Sequence, residues 1–589
     1  VGVCDTGIDF MHPDFIKDNS TRIEYIWDMS ETTYHNPPEG YSVGAEYSSE
    51  DIESGMCYQE DVYGHGTHVT ATAAGNGNGN PKFTGMAPKA DILSAKISYD
   101  RESHEFASDI DIISATDWMF TKAEEAGKPI VINMSFGWMF GPHDGTGLLS
   151  QGLSNITGPG KVIVASAGNS AKIPMHTGTD YEAGEYYENV VMPFANICRR
   201  LRGTCPDDHR FFATGSELWY TENSIDSIFV TAYKLNSSSM QYEPDIIKGY
   251  AAGELVTNDT VKLDSMNAYI NLDQTQYENK YNTGNAIVLI HNNGSAYHEH
   301  VSGQAWGIRV KTKASGRIDM WSFVSADENN LNNFVVNDLK INMLPSDTEM
   351  MVGSPADAEE VISVGSYTTL DEFTNSDGNV MSFEITPGEI SQFSSGGPSR
   401  TGGIQPAVSA PGEFVISALS SDKEYTNPSM KISEHYVANR GTSMSAPVVA
   451  GTVALMLQVK PDLTRDEIVE IFRQVAAEDE FTGTLPNNSY GYGKLNALAA
   501  IRTLVSSNVE ENSHISGKVD LYPNPAVDIL RVDNFKPEMQ FVIFDAAGNA
   551  VKVINGKEAI DISGLSSGKY FLNIREGMTS YAVPFNVAR

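Results

Sequence analysis

The stretch GTSMSAPVVAGTVALMLQV, residues 441–459, decides how the rest of the chain is read. From Val448 to Leu457 it is almost wholly apolar, with Ala450, Gly451 and Ala454 thinning the bulk. A helix apolar on every side belongs inside a domain, and this one is too short for a bilayer span. Pro447 fits only in a first turn, where its missing N–H has no intrahelical partner to lose. The spacing therefore predicts a helix start near Ser443, with Gly441 and Thr442 as its approach. Ser443 then sits at the positive end of a buried helix, its backbone N–H free to meet an anion. From this stretch alone, a nucleophilic serine and an ordinary N-cap serine both stand.

Two other stretches bear on the choice: VGVCDTGID (1–9) and GHGTHVTATAAG (64–75). With D-T-G, H-G-T-H and G-T-S-M-x-A-P in the order Asp, His, Ser, the chain resembles the subtilisin-like serine proteases, the subtilases. The resemblance implies a triad of Asp5, His65 and Ser443, and an oxyanion donor at Asn169, which closes VASAGN. It also implies that Ser135, Phe136 and Gly137, with Ser166, Ala167 and Gly168, form two edges that bind substrate backbone as an added strand. Asn133 lies inside a strand and is read as structural. His65 and His68, three apart on a helix, admit a metal pair with Asp5. The motif instead makes His65 the base and leaves His68 to packing.

The surrounding pattern agrees without the motifs. VGVCD reads as a buried strand with Asp5 at its carboxyl end, where sites form in parallel sheets; Asp9 and Asp14 do not fit that rule. Residues 15–60 read as a polar, irregular surface excursion. Helix 65–74, strand 90–97, helix 109–126, strand 130–137, a helix near 146–157 and strand 161–169 alternate. Such alternation predicts an α/β fold, a parallel sheet with helices on both faces. Residues 1–173 and 351–505 are read as two parts of one catalytic core, with a capping box from Thr464 and Glu467 opening a helix through about Val475.

Between residues 174 and 350 the helical signal vanishes. Runs such as SIFVTAYKL, NAIVLIH and RIDMWSFV, separated by turn residues, predict an inserted β-sandwich. Its placement, with GPHDGTG (141–147) and SGQAWGIRV (302–310), is similar to the jelly-roll-like insertion of clostridial germination-type subtilases. Some of those relatives are pseudoproteases, so a binding scaffold is the alternative to an enzyme; the intact triad and Asn169 favour the enzyme. Residues 506–516 read as a polar linker. Residues 517–589 resemble an immunoglobulin-like sorting domain of type IX secretion, which implies those export machines as partners and a secreted or cell-surface protein of a Gram-negative, Bacteroidetes-like bacterium.

Length and composition set outer bounds. A chain of 589 residues implies two to four domains. A net charge of -36 argues against nucleic acid and anionic membranes; it suits cationic substrates, structural calcium or a solvated acidic surface. Four cysteines are too few for a disulfide scaffold. Cys198 and Cys205 can bridge if the protein is exported, and Cys4 and Cys57 read equally as buried thiols or bonded ones. With the motif aspartate at residue 5, a signal and the protein's own propeptide are expected to have preceded this sequence. No charge in the edge segments announces a cleavage preference.

Overall fold

The computed structural model describes residues 1–31, 36–97, 107–139, 141–191, 194–195, 212–262, 267–274, 283–292, 304–322, 341–425, 427–511, 521–533, 535–537, 539–545, 550–555, 557–576 and 579–589. Its central sheet has eight strands: β1 (Gly2–Asp5), β2 (Ile23–Asp28), β3 (Ala45–Ser48), β4 (Ile92–Lys96), β5 (Ile130–Met134), β6 (Lys161–Ser166), β7 (Val361–Thr368) and β8 (Val408–Glu413). Their order is β8-β7-β6-β5-β1-β4-β2-β3. All pairs are parallel except β2 with β3. The helices between them are α1 (His65–Ala74), α2 (Asp109–Glu125) and α3 (Leu148–Ile156); after the last strand come α4 (Thr442–Val459), α5 (Arg465–Val475) and α6 (Ala497–Glu511).

Alternation along β1 assigns the two faces. Cys4 belongs to the same apolar cluster as Ile112, Trp118 and Phe120 of α2, while Val3 clusters with Val69 of α1 and Met444 of α4. Side chains two apart share a face, so Asp5 emerges on the side of α1 and α4. The central helix α4 lies against β5 to β8 and α1. Gly451 admits the approach: a Cβ there would stand 2.6 Å from Ala73 O of α1.

Three expectations change. The excursion 15–60 contains core, because β2 (IEYIWD) enters the sheet with Ile23, Ile26 and Trp27 fully buried. Its interspersed Glu24 and polar flanks hid it. The helix at the decisive stretch starts one residue early, at Thr442, which puts Pro447 in the second turn. The expected linker 506–516 begins as helix, since α6 runs to Glu511; its remaining residues lie outside those described. The capping box at α5 forms: Glu467 N–H donates to Thr464 Oγ1 (3.3 Å) and Thr464 N–H to Glu467 Oε2 (2.9 Å).

Residues 176–344 contribute two largely antiparallel sheets. One has five strands, Gln241–Ala251, Ile225–Asn236, Gln304–Thr312, Tyr186–Val191 and Ile341–Leu344 in spatial order. The other runs Val256–Lys262, Asn267–Asp273, Thr283–Asn292, Phe212–Thr221, Gly316–Ser322 and His176–Tyr181, with Phe194–Ala195 paired at its side. Ile228, Val230 and Ile308 of the first share one apolar cluster with Leu218, Val288 and Ile318 of the second. This region belongs to the same compact unit as the parallel sheet, residues Val1–Ala497. The ring of Trp321 stacks on His143 at 4.1 Å, and Trp321 Nε1 donates to Met350 O.

The second unit is Leu498–Arg589. Within it a three-stranded and a four-stranded sheet share a cluster containing Leu530, Phe541, Ile560, Leu572 and Phe585. Cys4 and Cys57 are buried free thiols; burial pushes Cys57 up to about 12. Cys198 and Cys205, which the sequence allows to bridge, lie outside the described residues.

Candidate active site

Asp5 and His65, sixty residues apart, meet where β1 ends and α1 begins. His65 Nδ1–H donates to Asp5 Oδ1 at 2.7 Å, and Thr6 N–H donates to the same oxygen. This fixes the imidazole with Nε2 as the open base nitrogen. Burial lowers the imidazole pKa, but the charge and hydrogen bond of Asp5, aided by Asp61, outweigh it. The result lies above the ordinary 6.5 despite opposition from Lys423.

Asp61 escaped the sequence reading. It accepts from Gly64 N, Thr67 N and Thr67 Oγ1 at the start of α1. It also accepts from Thr6 Oγ1, which in turn takes the Gly66 N–H. One carboxylate thus caps the helix and ties it to the β1 end. Gly66 completes the closeness, since a Cβ there would stand 2.1 Å from Gly7 O. The available signal was an acid placed three residues before the capping glycine of an H-G-T-H helix. His68 points elsewhere, its Nε2 near Val415 O, and burial lowers it to about 3. Among the described residues no group of three or more His, Cys, Asp or Glu is arranged to hold a metal ion.

Ser443 occupies the first turn of α4, half-buried between buried neighbours. Its Oγ donates to Ser135 O at 2.9 Å. Pro447 explains the return contact. Lacking an N–H, it leaves the Ser443 carbonyl, four residues earlier, without its helical donor, and Ser135 Oγ fills the place at 2.8 Å. Asn133, read as structural, donates its amide to Ser135 Oγ. Gly441, at φ 147°, turns the chain into α4 where a Cβ would crowd the Asn169 amide at 3.3 Å.

Asn169 is exposed, with one end anchored. Its Oδ1 accepts from Thr442 N (2.8 Å) and Thr442 Oγ1 (3.0 Å), which turns the amide N–H groups outward beside Ser443. Thr442 Oγ1 also accepts from Gly168 N. Of the six edge residues, Ser135, Ser166 and Ala167 are buried, and Ser166 Oγ reaches toward Phe136 O. Phe136 and Gly168 are half-buried. Gly137 is exposed, and among the described residues nothing takes its backbone N–H or C=O. An open backbone of this kind is a place for an added strand.

Comparison with known proteins gives this arrangement a family. Residues 1–240 and 291–493 match the subtilase family, and residues 520–584 match the secretion system C-terminal sorting domain. The chain belongs to the subtilase family. It is 36% identical to serine protease AprX of Bacillus subtilis over 149 residues, 25% of this chain and 30% of that protein. Against subtilisin DY of Bacillus licheniformis it is 33% identical over 165 residues, 28% of this chain and 53% of the relative. The match thus spans less than two thirds of either relative. In fold it is similar to the CspB protease of Clostridium perfringens, with a TM-score of 0.62 at 22% identity over 86% of this chain and 94% of that one.

Proposed function

We propose that this chain is a serine endopeptidase. Ser443 Oγ attacks a peptide carbonyl, His65 Nε2 takes its proton, and Asp5 holds the imidazole tautomer and steadies the imidazolium. The Ser443 hydroxyl rests on Ser135 O and leaves that acceptor when His65 takes its proton. The Asn169 amide and the Ser443 N–H, which has no intrahelical acceptor in the first turn, receive the oxyanion. Proton return to the leaving amine then frees the acyl-enzyme for water. The observation that carries the reading is the 2.7 Å Asp5–His65 contact, with Ser443 in the first turn of the helix α4 that packs against α1.

Substrate pairs as a strand with the edges Ser135–Gly137 and Ser166–Gly168, whose backbone at Gly137 is open. The paired sheets of residues 174–350 are a jelly-roll-like insertion into the core of 1–173 and 351–505. Residues 517–589 are an immunoglobulin-like sorting domain that hands the protein to type IX machinery, giving a secreted or surface enzyme; the match at 520–584 supports this. A propeptide as inhibitor and structural calcium complete the family's scheme. Ser443→Ala tests the reading: kcat on a peptide should fall by roughly 10⁶, the scale of triad knockouts in a subtilisin. Near wild-type turnover by the purified variant would refute it.

A further inference from the structure

A cavity of about 470 Å³ opens beside Trp138, the residue that follows the open edge at Gly137. Its walls come from both sides of the insertion boundary. Trp138, Leu148 and Leu149 belong to the parallel core; Glu217, Trp219 and Ile287 belong to the inserted seven-stranded sheet. Trp138 is held in place by its N–H, which donates to Ser354 O at 2.8 Å.

We infer that the inserted sheet completes a substrate subsite that takes a basic residue, lysine or arginine, from the acyl side of the cleaved bond. The inference rests on the peptidase reading above and names the side chain that site prefers. The direction follows from the chemistry. His65 returns a proton to the leaving amine, so the leaving half lies over His65. The acyl half then extends along Gly137 toward Trp138.

Shape and charge select the side chain. Two indole rings with Leu148 and Ile287 suit the methylenes of a long side chain, and an indole face attracts a cation. Glu217 is only 6% exposed, and its carboxylate takes neutral donors: Gly141 N at 2.6 Å and Asn285 Nδ2 at 3.2 Å. Among the described residues no cation lies within ion-pair distance of it. Arg400, 5.7 Å from the Trp219 ring, is already paired with Asp144. Burial raises the pKa of the Glu217 carboxyl, which a neighbouring cation would relieve. Asp109, exposed on the rim, adds a second negative charge. A cationic side chain entering here meets two carboxylates and no competing cation among the lining residues.

The test uses the full chain and peptides in which each position before the scissile bond carries arginine, lysine or the neutral, unbranched norleucine. At one position arginine or lysine should exceed norleucine in kcat/KM by about tenfold or more, the scale of one desolvated charge pair. Glu217→Gln keeps the oxygen that accepts from Gly141 and should collapse that ratio toward one. Ile287→Lys, at a half-exposed rim position, should do the same by placing a cation in the mouth. Norleucine equal or preferred at every position overturns the subsite, as does a ratio that survives both substitutions. Absence of any Ser443-dependent hydrolysis would overturn the peptidase reading, and the subsite with it.

Discussion

The parallel core sheet and the antiparallel inserted sheets both bury polar side chains, to different ends. In the interior of the inserted sheets, away from Glu217, the polar groups around Glu188 and Asn189 close on one another. Glu188, fully buried, is bound by Arg309 at 2.7 Å and by Tyr233 OH. Asn189 spends its amide on Thr177, Leu344 O and Ser346. In the core, Asp5 is buried behind His65 and fixes it, while His65, Asn169 and Ser443 are each anchored at one end and leave the other partly open. Parallel strands deliver all their carboxyl ends, and the helix starts that follow them, to one side of the sheet. Antiparallel strands send successive ends to opposite sides and have no such meeting place. Chemistry gathers where topology makes ends converge.

Substitutions on the two sides should therefore fail differently. Asp5→Asn should lower kcat by about 10⁴ with the fold intact, because the imidazole loses its tautomer. It should also move the acid limb of the pH–rate profile. His65 must be neutral to accept a proton, and its raised pKa places that limb above 6.5 in the wild type. Without Asp5, burial prevails and the limb shifts to lower pH. A limb that stays fixed would mean another group sets it. Arg309→Ala on the inserted side should cost about 3–5 kcal/mol of stability, read as a denaturation midpoint, by stranding the Glu188 charge. Its kcat should not move. A large kcat loss with unchanged stability would break the division between the regions.

Asn169→Ala, smaller again, should cost roughly 10²–10³ in kcat, about 2.7–4 kcal/mol, with KM little changed. That magnitude comes from a subtilisin and is carried over to this chain. A variant that changed KM alone would make Asn169 a ground-state contact instead.

The same contrast explains what could be read from sequence. Strand, helix and loop positions of Asp5, His65, Asn169 and Ser443 were legible because each is local: a strand end or a helix start with its own glycines. What escaped depends on distant partners. Pro447 lies in the second turn, and Ser135 Oγ gives the Ser443 carbonyl the donor that the proline lacks, across 308 residues of sequence. Asp61 acts through Thr6 and α1 together. Strand β2 looked polar because its outward residues and flanks are, although Trp27 is fully buried. The edges Ser135–Gly137 and Ser166–Gly168 are expected to meet substrate through their backbone, and the burial of the Ser135, Ser166 and Ala167 side chains does not bear on that expectation.

The central claim is that Ser443 is a nucleophile activated by His65. The most direct measurement is exposure of the purified protein to a peptidyl phosphonate, with the modified residue mapped by mass spectrometry. A single adduct on Ser443, abolished in His65→Ala although that variant keeps the hydroxyl, is the predicted result. No adduct on a folded wild-type chain, or labelling that persists without His65, would contradict it.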